Sequence, residues 1–207
     1  MPGIPPIETY PIPGVGDLPD NIATWTPNPE RTVLLIHDMQ RFFLRPLPAP
    51  TRDELVRTIS LLRERATALG VQIAYSTQPG DMSEEERGLL RDFWGPGMSR
   101  TPDDRLVTDE LYPEVGDWMF FKRRYSAFFG CDLLERIRLS GRDQLIICGV
   151  YAHLGVLITA VEAYSNDLQT FVVGDAVADF SADHHHMALR YVASSCAAVI
   201  SAKEVFL

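Results

Sequence analysis

At 207 residues, 46% of them apolar and 23% charged, the chain has ordinary globular composition and length enough for one domain with a sizeable core. No apolar run approaches the roughly 18–20 residues of a membrane span, and the N-terminus has neither a basic start nor an apolar signal core, so a cytoplasmic protein is expected. A net charge of −9 argues against nucleic acid as a partner, and any anionic substrate must be drawn in by a local basic cluster.

Residues 1–30 carry six prolines by Pro19, with Pro27 and Pro29 to follow, which rules out an interior helix or strand. Ile4, Ile7, Tyr10, Ile12, Leu18 and Trp25 give this arm anchors for wrapping over the surface or over a neighbouring subunit. The stretch Thr32–Phe43 then opens with the branched run Val33 to Ile36, a strand buried on both faces, and ends it in His37 and Asp38. Thr51-Arg-Asp-Glu54 has the form of a capping box, and Leu55, Ile59, Leu62, Ala66 and Leu69 follow at helical spacing until Gly70. Val71–Ser76 reads as the next strand. Strand, helix, strand in that order is a βαβ unit and predicts a parallel sheet.

Beyond the turn at Gln78-Pro-Gly80, Ser83-Glu-Glu-Glu86 is a second capping box before a short helix from Arg87 to Trp94. Residues 98–116 are polar and irregular. Trp118–Phe121 is a short strand, Leu133 to Leu139 a helix, Gln144–Cys148 a strand and Gly149-Val-Tyr-Ala-His153 its exit loop. A small-residue helix from Gly155 to Leu168, a strand at Thr170–Val173, a helix from Ala182 to Ser195 capped by Ser181, and a strand at Ala197–Ile200 complete the chain. The whole reads as one three-layer α/β/α domain around a mostly parallel six-stranded sheet.

Three strand exits carry chemistry: Asp38 after the first, Lys122 after the third, and Gly149–Gly155 after the fourth. Parallel strands place all such exits on one edge, where ligands of open α/β sheets bind. A carboxylate, an ammonium and a turn full of backbone N–H groups can form a site there. Taken singly, Asp38 is equally a turn cap, and a lysine after a strand is more often a surface charge. Cys131, Cys148 and Cys196 are odd in number and widely spaced, which suits packed, reduced thiols rather than disulfides or a zinc site. His184-His-His186 invites a metal, but adjacent helical residues point in different directions, so no metal is expected. Asp175 and Asp179 read as turn and cap residues, His37 and His153 as hydrogen-bonded structural histidines, and Arg123 and Arg124 as surface or subunit contacts.

The pattern His37-Asp-Met-Gln40, Lys122 after a strand, and Gly149-Val-Tyr-Ala-His-Leu-Gly-Val156 resemble the isochorismatase-like hydrolases. QRFFLRPLP, QIAYSTQPG, RGLLRDFWGPGM, RYSAFF, CGVYAH and DAVADFS extend the resemblance over essentially the full chain, nearest to the phenazine-pathway branch acting on 2-amino-2-deoxyisochorismate. Many members use an Asp-Lys-Cys triad whose cysteine opens the helix after the fourth strand. That position is Gly155 here, and isochorismatases proper also lack the cysteine. The resemblance implies hydrolysis of the vinyl ether of 2-amino-2-deoxyisochorismate or isochorismate, releasing pyruvate, in phenazine-type or siderophore biosynthesis. Such chemistry needs a general acid and carboxylate anchors, and no cofactor. Asp38 is expected as the acid and Lys122 as its holder, with apolar walls from Phe42, Trp94, Tyr125 and Phe128. By resemblance Gln78, Arg87, Tyr151 and Gly155 line the pocket, the Val150–Tyr151 peptide is cis, and Gly155 leaves room for substrate. A homodimer is implied, without the carrier-protein domain of enterobactin-type relatives, since the chain stops at Leu207. The competing expectations are a cysteine amidohydrolase of the nicotinamidase kind, against which Gly155 speaks, and a degenerate scaffold protein, against which Asp38 with Lys122 speaks.

Overall fold

Branched apolar runs become strands wherever helices can cover both of their faces. The computed structural model, which describes residues 3–207, has six: β1 (Thr32–His37), β2 (Gln72–Thr77), β3 (Trp118–Phe121), β4 (Gln144–Val150), β5 (Gln169–Ala178) and β6 (Ala198–Ile200). They lie in the order β3-β2-β1-β4-β5-β6, and every pairing is parallel. The chain starts at the centre, builds outward through β2 and β3, then returns to lay β4 against the other side of β1. The switch point between β1 and β4 therefore falls mid-sheet, where a crevice opens beyond the carboxyl ends.

The helices are α1 (Arg41–Leu44), α2 (Ala49–Ala68), α3 (Glu84–Arg87), α4 (Leu90–Trp94), α5 (Pro102–Arg105), α6 (Leu133–Leu139), α7 (Leu157–Ser165) and α8 (Ala182–Ser195). Alternation along β1 assigns the two faces. Leu34 and Ile36 pack with Leu55, Ile59 and Leu62 of α2, while Val33 and Leu35 pack with Leu133, Ile137, Ala160 and Val192 from α6, α7 and α8. These are the two outer layers of the expected α/β/α fold. Among the described residues no helix is long and apolar enough to cross a membrane.

The proline-rich arm wraps over the chain's own body. Asn21 donates its side-chain amide to Val199 O at 2.8 Å and accepts from Val199 N at 2.7 Å, satisfying the open edge of β6. Trp25 packs edge-on against Phe171.

Several boundaries differ from the sequence reading. Thr51 does not cap α2: the helix starts at Ala49, with Pro50 in its first turn, and Thr51 is buried there. Proline suits a first turn because its φ is already helical and its missing N–H has no partner to lose. Ser83 and Glu86 do form the expected reciprocal box. The single helix expected over Arg87 to Trp94 is split into α3 and α4 at Gly88, whose φ of +49° no helix tolerates. Residues 98–116, expected to be irregular, contain α5 and a 3-10 turn at Asp109–Leu111. β4 runs on through Gly149 and Val150, and β5 through Gly174 and Asp175 to Ala178, past the glycines at which each was expected to stop. The two pair again at Gly149↔Val177 after a register shift, so the glycines relax the strands without ending them. The helix expected from Gly155 begins instead as a π-helical turn over Ala152–Val156 that leads into α7.

Candidate active site

Each residue of His37-Asp-Met-Gln40 has a separate task. His37 is the last residue of β1 and fully buried, and its Nδ1–H donates to Val150 O at 2.9 Å at the exit of β4. A carbonyl only accepts, so the proton sits on Nδ1. Asp38 adopts φ +51°, a left-handed conformation that Asp tolerates better than most residues, while its N–H still donates to Ser76 O at 3.0 Å. Met39 enters the core. Gln40 clamps the next strand exit: Nε2 donates to Gln78 O at 2.9 Å, and Oε1 accepts from Gln78 N at 2.7 Å.

Lys122 follows β3 and is 1% exposed, so the surface-charge reading fails. Its N–H donates to Thr77 O at 2.9 Å, and Nζ reaches Asp38 Oδ2 at 2.7 Å and Arg124 O at 3.0 Å. Ser76 Oγ donates to Asp38 Oδ1 at 3.2 Å. Both carboxylate oxygens of Asp38 thus have a donor from another strand, and the group is fixed in direction.

Asp38 and Lys122 lie in a cleft together with Phe42, Gln78, Arg87, Trp94, Tyr125, Val150, Tyr151 and Gly155, so every residue expected at the site but Phe128 lines one cavity of about 530 Å³, its open mouth included. The Phe128 ring belongs to the core beneath the α6–α8 layer. The sequence reading missed Ile4, Phe43, Leu90, Leu154 and Phe180. Phe180 follows β5 as Asp38 follows β1, so its exit position was a usable signal, whereas nothing local marks Ile4 of the arm. The walls are joined: Trp94 Nε1–H donates to Tyr125 Oη at 2.6 Å, and Phe180 lies edge-on to both Trp94 and Tyr151. The Val150–Tyr151 peptide is cis.

Arg87 is the second cation. Its Nε donates to Gly95 O at 3.0 Å and Nη1 to Gln78 Oε1 at 3.4 Å, and the guanidinium makes no ion pair with a carboxylate among the described residues. Burial pushes its pKa below the usual arginine value. A buried, uncompensated guanidinium beside a cavity suits a carboxylate, since its planar fork matches two carboxylate oxygens.

The other expectations resolve by geometry. Cys148 is buried inside β4, and burial pushes its thiol far up, so it is no nucleophile. Of the three consecutive histidines, His185 enters the core between Tyr10 Oη at 3.1 Å and Gly174 O at 3.0 Å. His153, Asp179 and His184 come close enough to suggest a cation site. However, Asp179 already accepts from His153 N at 2.6 Å, from Phe180 N at 2.8 Å and from His153 Nδ1. The His153 and His184 rings stack at 4.3 Å with 14° between planes, so their nitrogens do not converge on a point.

Burial holds both His37 and His185 neutral, with pKa values pushed down to about 4 from the ordinary 6.5. The unfolded chain therefore binds more protons than the folded one between those values, and stability falls as pH falls through that window. Each histidine contributes roughly 3 kcal/mol to the loss. The thermal midpoint is expected to drop between about pH 6.5 and about pH 4, and less so in His185→Gln; a midpoint indifferent to pH over that range would contradict it.

The isochorismatase domain family matches residues 32–204. A probable isochorismatase of Pseudomonas chlororaphis is 60% identical over 207 residues, covering 100% of both chains. The phenazine biosynthesis protein PhzD of Pseudomonas fluorescens is 59% identical, again over 100% of both. Among solved structures, a cysteine hydrolase of Pseudomonas syringae pv. phaseolicola superposes with a TM-score of 0.82 at 24% identity, covering 90% of this chain and 95% of that one, a likeness of fold. By its sheet, its cleft and these relatives, the chain belongs to the isochorismatase family, as an isochorismatase-type hydrolase.

Proposed function

We propose that the chain hydrolyses the vinyl ether of 2-amino-2-deoxyisochorismate or isochorismate, releasing pyruvate, within phenazine-type or siderophore biosynthesis. One observation carries this reading. The site holds a rigidly oriented carboxyl group, Asp38, and offers a glycine, Gly155, where acyl transfer would need a nucleophile. A vinyl ether is inert to nucleophiles but reactive to acid at its terminal methylene carbon. Asp38 delivers a proton to that carbon, and the positive charge develops on the ether carbon as an oxocarbenium ion. Water adds there, and the hemiketal collapses to pyruvate and the ring alcohol, with the ring carbon–oxygen bond intact.

Asp38 must carry a proton when it acts. Lys122 holds the carboxyl group from 2.7 Å away, and a dianionic substrate brings its own negative charge into the same cleft. Arg87 takes one substrate carboxylate, and Lys122 turns partly to substrate oxygen as it releases Asp38. The aromatic wall of Phe42, Trp94, Tyr125 and Tyr151 excludes bulk water and faces the apolar edge of the cyclohexadiene. A homodimer fits the apolar residues Ile158 and Tyr164, left exposed on α7, and light scattering reads the mass directly.

The test is incubation with each substrate, following pyruvate by a coupled dehydrogenase and the ring product by mass spectrometry. Pyruvate and ring product in equal amounts support the reading. Release from neither substrate overturns it.

A further inference from the structure

We propose that His37 is a specificity-determining residue whose imidazole occupies the space of a side chain at position 155, so that His37 and any side chain there exclude one another. The sequence reading took Gly155 as room for substrate. The structure fills that room from behind: a Cβ built on Gly155 would lie 2.9 Å from His37 Nε2 and 3.0 Å from Nδ1, and closer still to Cε1.

Three observations support this pairing. Gly155 is not at a positive φ, so its backbone does not require glycine, and the ring is the reason for it. His37 cannot swing aside. It is fully buried, its Nδ1–H is held by Val150 O at 2.9 Å, and it is paired across the sheet with Gly149. Gly149 has φ +114°, and a Cβ on it would collide with the backbone oxygen of His37. The histidine therefore sits between two glycines, one clearing its backbone and the other its ring. Finally, His37 Nε2 is buried without a hydrogen bond of normal geometry; the Tyr125 carbonyl is near enough only to favour the charged ring slightly. A polar atom left unpartnered in the core suggests that the ring is placed there for its volume.

The consequence concerns reaction class. A thiol at position 155 would lie in the cleft with Asp38 and Lys122, yet it cannot be installed by Gly155→Cys alone. His37 commits the cleft to acid chemistry, and it acts as a positioning residue, since it touches no part of the cavity.

A double-mutant cycle tests this. Alanine ordinarily favours a helix over glycine. With His37 in place, Gly155→Ala is nevertheless expected to lower Tm by roughly 5–10 °C through overpacking. In a His37→Val background the same change is expected to leave Tm unchanged or raise it. Valine continues the branched apolar run before it and has no ring. Gly155→Cys adds a second readout: in the His37→Val background its thiol is expected to be modified by iodoacetamide in the folded protein, at a site identified by peptide mass. If Gly155→Ala is as stable as the parent, or costs the same in both backgrounds, the exclusion is wrong. The stability arm does not depend on the proposed hydrolysis. Its failure therefore leaves that reading standing, and failure of the pyruvate assay leaves this one standing.

Discussion

Asp38→Ala is expected to lower kcat by at least about 10²–10⁴-fold, the usual contribution of a positioned general acid, while folding and substrate affinity are largely kept. The expectation rests on the isolation of the group. Lys122 and Ser76 hold Asp38 at 2.7 and 3.2 Å, and among the described residues no other carboxyl group lines the cleft. Asp179 is tied to His153 and Phe180, and Asp175 accepts from Ala202 N at 2.6 Å. In the proposed binding mode the carboxylate is held by Arg87 and is untouched by the change, so KM should move little. Steady-state kinetics on a variant with native circular dichroism decides it. More than a tenth of the parent rate would remove Asp38 from the mechanism.

Lys122→Met is expected to have the largest effect on stability. Lys122 and Asp38 are 1% and 5% exposed, and the ammonium also satisfies Arg124 O. Removing one partner of such a pair leaves a buried charge without compensation and costs about 3–5 kcal/mol. Urea midpoints at neutral pH measure this. A variant as stable as the parent at neutral pH would mean that the pair is not a buried unit.

The elements with the strongest patterns were legible in the sequence. Trp118–Phe121, Leu133–Leu139 and Ala182–Ser195 have the bounds expected of them, with Gly141 just beyond the second and Ser181 capping the start of the third. The convergence of Asp38, Lys122 and Val150–Gly155 followed from the parallel connection alone, because parallel strands share one exit edge. What the sequence hid is tertiary. Gly149 and Gly174 look like strand stops, yet they lie inside ladders that bend to clear a neighbour: His37 for Gly149, and Leu18 of the arm for Gly174. The role of Ile4 needed the path of the whole arm. The meaning of Gly155 needed the His37 ring, 118 positions earlier in the chain, brought against it by the pairing of β1 with β4.

The central claim is that protonation at carbon directs water to the ether carbon, and the fate of oxygen tests it most directly. Turnover in water enriched in heavy oxygen should give a ring alcohol that keeps the oxygen of the substrate, with the heavy isotope entering only pyruvate. The ring hydroxyl does not exchange with solvent, so its mass records which bond broke. Heavy oxygen in the ring product would show displacement at the ring carbon and contradict acid catalysis by Asp38 at the vinyl ether.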